Sequence, residues 1–201
     1  MRFSVAASAR LITVFVLLTV ASGCSALKNP SALVLPDQQG RIVPKGAQIN
    51  TDVLPVFQNA LASRTGMRLL EGLPNENSEA KLYQAEKKAN KTVKRAGFLF
   101  YPAPITPSPA DEQALVAALS QPGAVAEFSG AMKMCGGFHP DFAILWNDAS
   151  GAAYEAQICF GCEEIKLFGP QNELYADLAP ETFSALREVL RYLGKNAVPR
   201  P

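Results

Sequence analysis

The sequence predicts an α+β domain in which an antiparallel sheet of four to five strands packs against two or more helices. Three observations favour this class. Fifteen prolines and fourteen glycines are spread through the 201 residues, which is typical of a loop-rich fold and not of a helical bundle. Short apolar runs bounded by turn residues indicate strands. Amphipathic segments with a period of 3.6 residues indicate helices that bury one face against the sheet.

The strand candidates share a short apolar or alternating pattern that ends at glycine, proline or asparagine. They are residues 67–72, 97–101, 125–128, 142–146, 153–160 and 164–168. Asn-Asp-Ala-Ser-Gly at 147–151 separates two of them and is a strong β-hairpin signal.

Three segments have helical periodicity and start signals. Residues 51–64 place Pro55 in a first turn, where proline is tolerated. Residues 111–119 follow Ser108, a good cap, and residues 181–193 follow Pro180. The charged segment 76–94 predicts a helix or loop that covers little of the core.

Residues 1–23 have the composition of an export signal. Arg2 and Arg10 frame the start of an apolar run at 11–20, and small residues lead to Cys24. The run is too short to cross a bilayer as a helix, which needs about 20 apolar residues. Ala-Ser-Gly-Cys at 21–24 resembles the lipobox of bacterial lipoproteins. The resemblance implies cleavage before Cys24 and acylation of its sulfur by fatty acids such as palmitate.

This reading divides the chain into three parts: a lipoprotein signal peptide at 1–23, a lipidated N-terminus and flexible tether at 24–50, and a single α+β domain at 51–201. The tether is rich in Pro, Gln, Gly and Ser. Ser25 after the cysteine resembles the sorting residue of Gram-negative lipoproteins destined for the outer membrane. We therefore expect a protein of the bacterial cell envelope, anchored by acylated Cys24 and facing the periplasm.

The charges do not indicate a nucleic-acid partner. The chain has 19 basic and 18 acidic residues, a formal net charge of +1, and they are interspersed. One run, residues 87–95, carries five positive charges and predicts a solvated helix face or loop, with contact to an anionic lipid or ligand as the alternative. No motif identifies a protein partner.

Residues 135–162 concentrate the side chains capable of chemistry. They hold three of the four cysteines, the only histidine and the only tryptophan, Trp146. If Cys24 is acylated, Cys135, Cys159 and Cys162 remain. Three is an odd number, so at least one thiol must be free, bound to metal or paired with another molecule.

Three readings of this region stay open. A disulfide from Cys135 to either cysteine of the C-x-x-C pair would join the hairpin to the preceding loop, contributing about 3 kcal/mol in the loop-entropy picture. Alternatively, Cys135, His139, Cys159 and Cys162 form the Cys3His set of a zinc site, although no cofactor is certain. A redox-active Cys159–Cys162 pair is the third reading, but the adjacent acidic residues at 163 and 164 raise a thiol pKa and argue against it.

The combination of Cys-Gly-Gly-Phe-His-Pro-Asp at 135–141, Trp146 and Ile-Cys-Phe-Gly-Cys at 158–162 resembles a family of small exported bacterial proteins without an assigned activity. The resemblance adds Asp141 and Trp146 to the signature positions and implies no reaction. The sequence also lacks GxSxG, Walker and HExxH motifs. We therefore expect a binding or envelope-structural domain with a structural Cys/His centre rather than an enzyme; the alternative is a thiol-redox or metal-handling protein.

Overall fold

A computed structural model of the chain describes residues 53–130 and 136–194, together with the backbone of two short strands at 34–36 and 42–44. The predicted signal peptide, Cys24 and Cys135 lie outside the described residues. The helices described are α1 (Leu54–Ala62), α2 (Ala80–Ala89), α3 (Pro109–Ser120) and α4 (Pro180–Leu193). The strands described are β1 (Val34–Pro36), β2 (Ile42–Pro44), β3 (Thr65–Glu71), β4 (Val93–Arg95), β5 (Phe98–Phe100), β6 (Val125–Glu127), β7 (Phe142–Asn147), β8 (Ala153–Cys159), β9 (Glu164–Phe168) and β10 (Glu173–Leu178).

The predicted α+β class is confirmed, with a larger sheet than expected. Six strands pair in the order β3-β7-β8-β9-β10-β6, and each neighbouring pair is antiparallel. The strand that the sequence did not predict is β10, which pairs with β9 and buries Leu174, Ala176 and Leu178. The meander from β7 to β10 follows chain order, whereas β3 and β6 come from earlier in the chain and form the two edges.

Helices α1, α3 and α4 cover one face of the sheet. Their buried residues include Phe57, Leu115 and Leu186, which share one core cluster with Ile144 and Ile158 of the sheet. Alternating residues of each strand point to this side, as the period of two requires. We refer to it as the helix face, and it is the expected hydrophobic core.

Helix α3 begins at Pro109, two residues before the predicted segment 111–119, and its N-cap is Ser108, as the sequence predicts. The Ser108 hydroxyl accepts a hydrogen bond from the Asp111 backbone N–H at 3.2 Å, and the Asp111 carboxylate accepts one from the Ser108 N–H at 3.3 Å. This reciprocal capping box satisfies two helix-end donors that otherwise have no partner in the helix. Pro109 occupies the first turn, where its missing N–H costs nothing.

The opposite face of the sheet, the hairpin face, is covered as well. The strand predicted at 97–101 is not part of the main sheet: β5 pairs with β4 in a separate two-stranded hairpin. Ala96 and Gly97 both have positive φ, which is typical of a tight two-residue hairpin turn. The hairpin packs Phe100 against Leu70 and Ala143, so it closes over strands β3 and β7.

The segment predicted to be a flexible tether contains the short strands β1 and β2. They pair antiparallel, with Leu35 opposite Val43. Both strands consist of β-branched and other apolar residues beside proline, and these residue types favour extended backbone. The region is therefore not uniformly irregular.

Helix α4 provides a test of the helix-face core. Leu186 is fully buried, whereas Tyr192 on the same helix is 84% exposed. We expect Leu186→Ala to lower the free energy of unfolding by about 2–5 kcal/mol, because it leaves a cavity. Tyr192→Ala is the matched control and should change it by about 0.5 kcal/mol or less. Urea denaturation measures both, and equal losses would contradict the placement of α4.

Candidate functional site

The signature residues gather at one end of the β7–β8 pair. Asp141 precedes β7, Cys159 is the last residue of β8, and Cys162 lies in the turn that leads to β9. Glu163 completes that turn with a φ of +57°, a left-handed conformation that is rare for residues other than glycine. His139 lies in the segment before β7, so strand pairing brings it beside Cys159.

Cys159 carries a free thiol buried on the hairpin face. The Cys162 N–H donates a hydrogen bond to its sulfur at 3.3 Å, and the backbone N–H of His139 also interacts with it. Burial nevertheless dominates and raises the pKa of the thiol to about 11, with smaller contributions from the carboxylates of Asp141 and Glu164. At neutral pH the thiol is therefore protonated.

Cys162 is disulfide-bonded, in contrast to Cys159. The C-x-x-C pair therefore does not form an internal disulfide, and the partner of Cys162 lies outside the described residues. The Cys162 sulfur lies 3.2 Å from the carbonyl oxygen of Gly137. Cys162 thus contacts the segment that carries the Gly-Gly-Phe-His part of the signature.

The His139 ring joins two segments. Its Nε2 lies 2.5 Å from the carbonyl oxygen of Leu73, and because a carbonyl only accepts, Nε2 carries the proton. The ring also makes an edge contact with Phe98 of the hairpin. His139 is buried, with 8% of its surface exposed. It therefore ties the loop before β7 to the turn after β3.

Asp141 and Trp146 have distinct environments. The Asp141 carboxylate accepts a hydrogen bond from the Phe160 N–H at 2.6 Å, which fixes the start of the β8–β9 turn. Trp146 points to the helix face, where it stacks on Tyr154 with ring centroids 5.8 Å apart. Trp146 thus belongs to the hydrophobic core, on the opposite side of the sheet from Cys159.

The hairpin face buries a charged network that the sequence did not reveal. Arg95 of β4 forms an ion pair with Glu155 of β8, with Nε and Oε2 2.7 Å apart. The Gln157 amide donates to the other Glu155 oxygen at 2.7 Å and to the Arg95 carbonyl at 3.2 Å. A buried carboxylate is stable only when it is paired and hydrogen-bonded in this way.

Lys166 lies next to this network, opposite Gln157 on the neighbouring strand. Its Nζ is 4.6 Å from the ring centroids of both Phe138 and Tyr175, and 5.8 Å from that of Phe98. Aromatic rings stabilise a cation at such distances. Three aromatic rings therefore surround the ammonium group of a lysine that is only 3% exposed.

Glu164 and Tyr175 complete the buried polar layer. The Tyr175 hydroxyl donates to a Glu164 carboxylate oxygen at 2.5 Å. Burial and then this hydrogen bond raise the pKa of Tyr175, so the phenol stays protonated at physiological pH. The pair locks β9 to β10 on the side that also carries Cys159.

The described signature side chains connect loops and strands to one another. The buried residues of the site, each of which makes a defined contact, are Cys159, Cys162, His139, Asp141 and Glu164. Within the described ranges, no group of three or more His, Cys, Asp and Glu residues is placed to hold a metal ion, and Cys135 falls outside them. Of the four residues considered for zinc, the three that the structure describes are not placed to share a metal ion, and the set with Cys135 stays a prediction.

Sequence reasoning missed the polar residues of the hairpin face, of which Glu155, Gln157 and Lys166 are buried and Arg95 and Tyr175 are partly buried. Their alternation with apolar residues along β8 and β9 is typical of a sheet with one solvated face. The sequence signal that other segments cover these polar residues was the presence of aromatic residues nearby, Phe98 and Phe138. That signal is weak, because isolated aromatic residues are equally typical of any core.

Gly72 allows a test of the junction behind His139. A β-carbon at this position would lie 2.0 Å from the Pro140 carbonyl oxygen, and the Gly72 N–H is hydrogen-bonded to the Asp141 carbonyl at 2.7 Å. We expect Gly72→Ala to reduce the free energy of unfolding by roughly 3 kcal/mol or more, since neither backbone can move without breaking the junction. Urea denaturation followed by circular dichroism is the measurement.

Gly123→Ala is the control for this substitution. Gly123 has a φ of +72° but no atom within 4 Å of the added carbon, so only its backbone strain of about 1 kcal/mol should appear. Equal losses for the two variants would show that the strand-to-loop junction is not closely packed.

Cys159 should titrate as a buried acid. In protein labelled with 13C at the cysteine β-carbons, one resonance should shift with a midpoint near pH 11, and Cys159→Ser should remove it. Because folding raises this pKa above 9.0, the contribution of the thiol to stability is complete below about pH 9 and is lost as the pH rises through 11. A midpoint below pH 8 would mean that the thiol is exposed or activated.

Comparisons with known proteins provide no relative on which to base an assignment. No family model, no curated protein and no solved structure matches this chain. In the part of the chain that the structure describes, no helix has both the length and the apolar character needed to cross a membrane.

Proposed function

We propose that the protein is a lipid-anchored protein of the bacterial envelope whose α+β domain binds or organises other envelope components without catalysing a reaction. The single observation that carries this proposal is the state of the Cys/His centre. The described reactive side chains of the signature, Cys159, Cys162 and His139, are buried and take part in contacts that hold two loops against the sheet.

The proposal assigns Cys135 as the disulfide partner of Cys162. Cys159 is free, so the partner is either Cys24 or Cys135. Acylation would consume the thiol of Cys24, which leaves Cys135. The contact between the Cys162 sulfur and Gly137, two residues after Cys135 in the chain, supports this pairing.

The proposed disulfide and the proposed lipid anchor imply the same cellular compartment. Structural disulfides persist in oxidising compartments such as the periplasm and are rare in the cytosol. Export by the predicted signal peptide and retention at the outer membrane through Cys24 would place the domain there. A cross-link that closes a loop of about 28 residues would then stabilise the domain by about 3.5 kcal/mol.

The alternative of a thiol-redox or metal-handling protein has less support. A nucleophilic thiol needs a lowered pKa, whereas that of Cys159 is raised to about 11. A zinc site needs thiolates, and the sulfur of Cys162 is already committed to a disulfide. Reduction of that bond would be required before Cys162 could act as a dithiol partner of Cys159 or as a metal ligand.

Mass spectrometry of the full-length protein purified from the membranes of a Gram-negative host tests the proposal. After alkylation without reduction, we expect an N-terminal peptide that begins at an acylated Cys24, a cross-linked peptide pair that contains Cys135 and Cys162, and Cys159 as the alkylated cysteine in denatured protein. Cys24→Ser is the control and should abolish acylation while leaving the cross-link unchanged.

Each part of the proposal can fail separately. An unmodified Cys24 would overturn the lipid anchor but not the structural centre. Three alkylatable thiols in unreduced protein, together with a native mass excess that matches zinc, would replace the disulfide with a metal site. Rapid native alkylation of Cys159 would support the thiol-redox alternative.

A further inference from the structure

The charges of the described domain are unevenly distributed along the chain. Residues 87–95 carry five basic and no acidic side chains. The other described residues, 53–86, 96–130 and 136–194, include six basic and sixteen acidic ones, a net charge of −10. The near-neutral composition of the whole chain therefore conceals a basic segment in an otherwise acidic domain.

Four lysines of this run are exposed, and we refer to them together as the basic surface. Lys87 and Lys88 occupy the last turn of α2, Lys91 follows the helix, and Lys94 lies on β4. Strand alternation explains the direction of Lys94: Val93 packs against the core on one side, Arg95 pairs with Glu155, and Lys94 faces outward.

No described carboxylate neutralises the basic surface. Neither of the ion pairs found in the described residues involves these lysines. Glu86, the nearest acidic residue in the sequence, accepts hydrogen bonds from the Tyr101 hydroxyl at 2.9 Å and from the Asn90 amide at 2.8 Å. Lys87 lies over the Tyr83 ring, which supports its stem but does not cancel its charge.

Part of this charge has a structural role. Lys87 and Lys88 lie in the last turn of α2, where their positive charges interact favourably with the negative end of the helix dipole. That role does not extend to Lys91 and Lys94, which lie beyond the helix. Nor does it explain why the remaining described residues are so acidic. Four exposed lysines without a carboxylate partner among the described residues favour binding of an anionic partner outside the domain.

We infer that the basic surface docks on anionic lipid headgroups. The proposed anchor at Cys24 would be joined to α1 by about 30 residues, which is long enough to let the domain turn toward the bilayer. A negatively charged membrane surface then attracts the basic surface and repels the rest of the domain. Charge complementarity alone gives the orientation, because the lysines are exposed and flexible.

The full-length protein with its acyl anchor, mixed with vesicles that contain a dansyl-labelled lipid, provides the test. Trp146 is the only tryptophan, so energy transfer from it to dansyl reports how close the domain lies to the bilayer. Flotation with zwitterionic vesicles reports the anchor alone. On vesicles with about one third phosphatidylglycerol, we expect the docked population to rise by about tenfold or more and to fall again as salt increases.

Matched variants distinguish an effect of the basic surface from an effect of the net charge of the domain. Lys88→Gln/Lys91→Gln should lower the additional energy transfer severalfold, whereas Lys88→Arg/Lys91→Arg should preserve it. Arg187→Gln/Arg191→Gln removes the same charge from exposed positions of α4 and should leave the transfer unchanged. Circular dichroism confirms that each variant is folded.

The outcomes distinguish the docking surface from the anchor. Flotation with both vesicle types but equal energy transfer would overturn the docking surface and keep the anchor. Binding to anionic vesicles alone, abolished by the lysine variant, would keep the docking surface and overturn the anchor. If the lysine and arginine variants lowered energy transfer equally, the net charge of the domain would explain the binding. That outcome would overturn the assignment of the docking surface to the lysines of α2 and β4.

Discussion

Strand register is the constraint on which the two-sided architecture depends. The β8–β9 pairing sets Gln157 opposite Lys166 and Cys159 opposite Glu164, so one face of the sheet is polar and the other apolar. A slip of one residue would exchange the faces and bury charges among the leucines of the helix core. Because both faces are covered, no such slip can be relieved by turning polar groups toward solvent. The hairpin, the rings around Lys166 and the turn at Cys162 all rely on this alignment.

The elements with strong local signals were predictable from the sequence. The capping box at Ser108, the prolines at the helix starts and the turn after Asn147 act over a few residues, and the helices and the β7–β8 hairpin confirm them. The separate β4–β5 hairpin was not predictable, because its turn uses Ala96 where Asn or Asp is the usual signal. Strand β10 was missed because its mixed polar and apolar pattern becomes a strand only through pairing with β9.

The chemistry of the site was predictable in part. The odd number of cysteines indicated that at least one thiol stands apart, and the acidic residues after the C-x-x-C pair indicated a raised pKa. The larger cause of the raised pKa is burial under Phe138 and the hairpin, which depends on contacts distant in sequence. Likewise, no spacing rule distinguishes Cys159 from Cys162. The difference between them arises from which sulfur faces the loop at Gly137.

The sheet order also has a consequence for how the chain assembles. Edge strands β3 and β6 are synthesised before the meander β7–β10 that they flank, so each must wait for a partner from later in the chain. During that interval an unpaired strand can associate with the wrong chain. Two features limit this hazard: β6 is three residues long and ends in Glu127, and the pairing of β3 is irregular after Gly66. The edge strands that are synthesised first are therefore short or irregular, and both properties disfavour pairing with another chain.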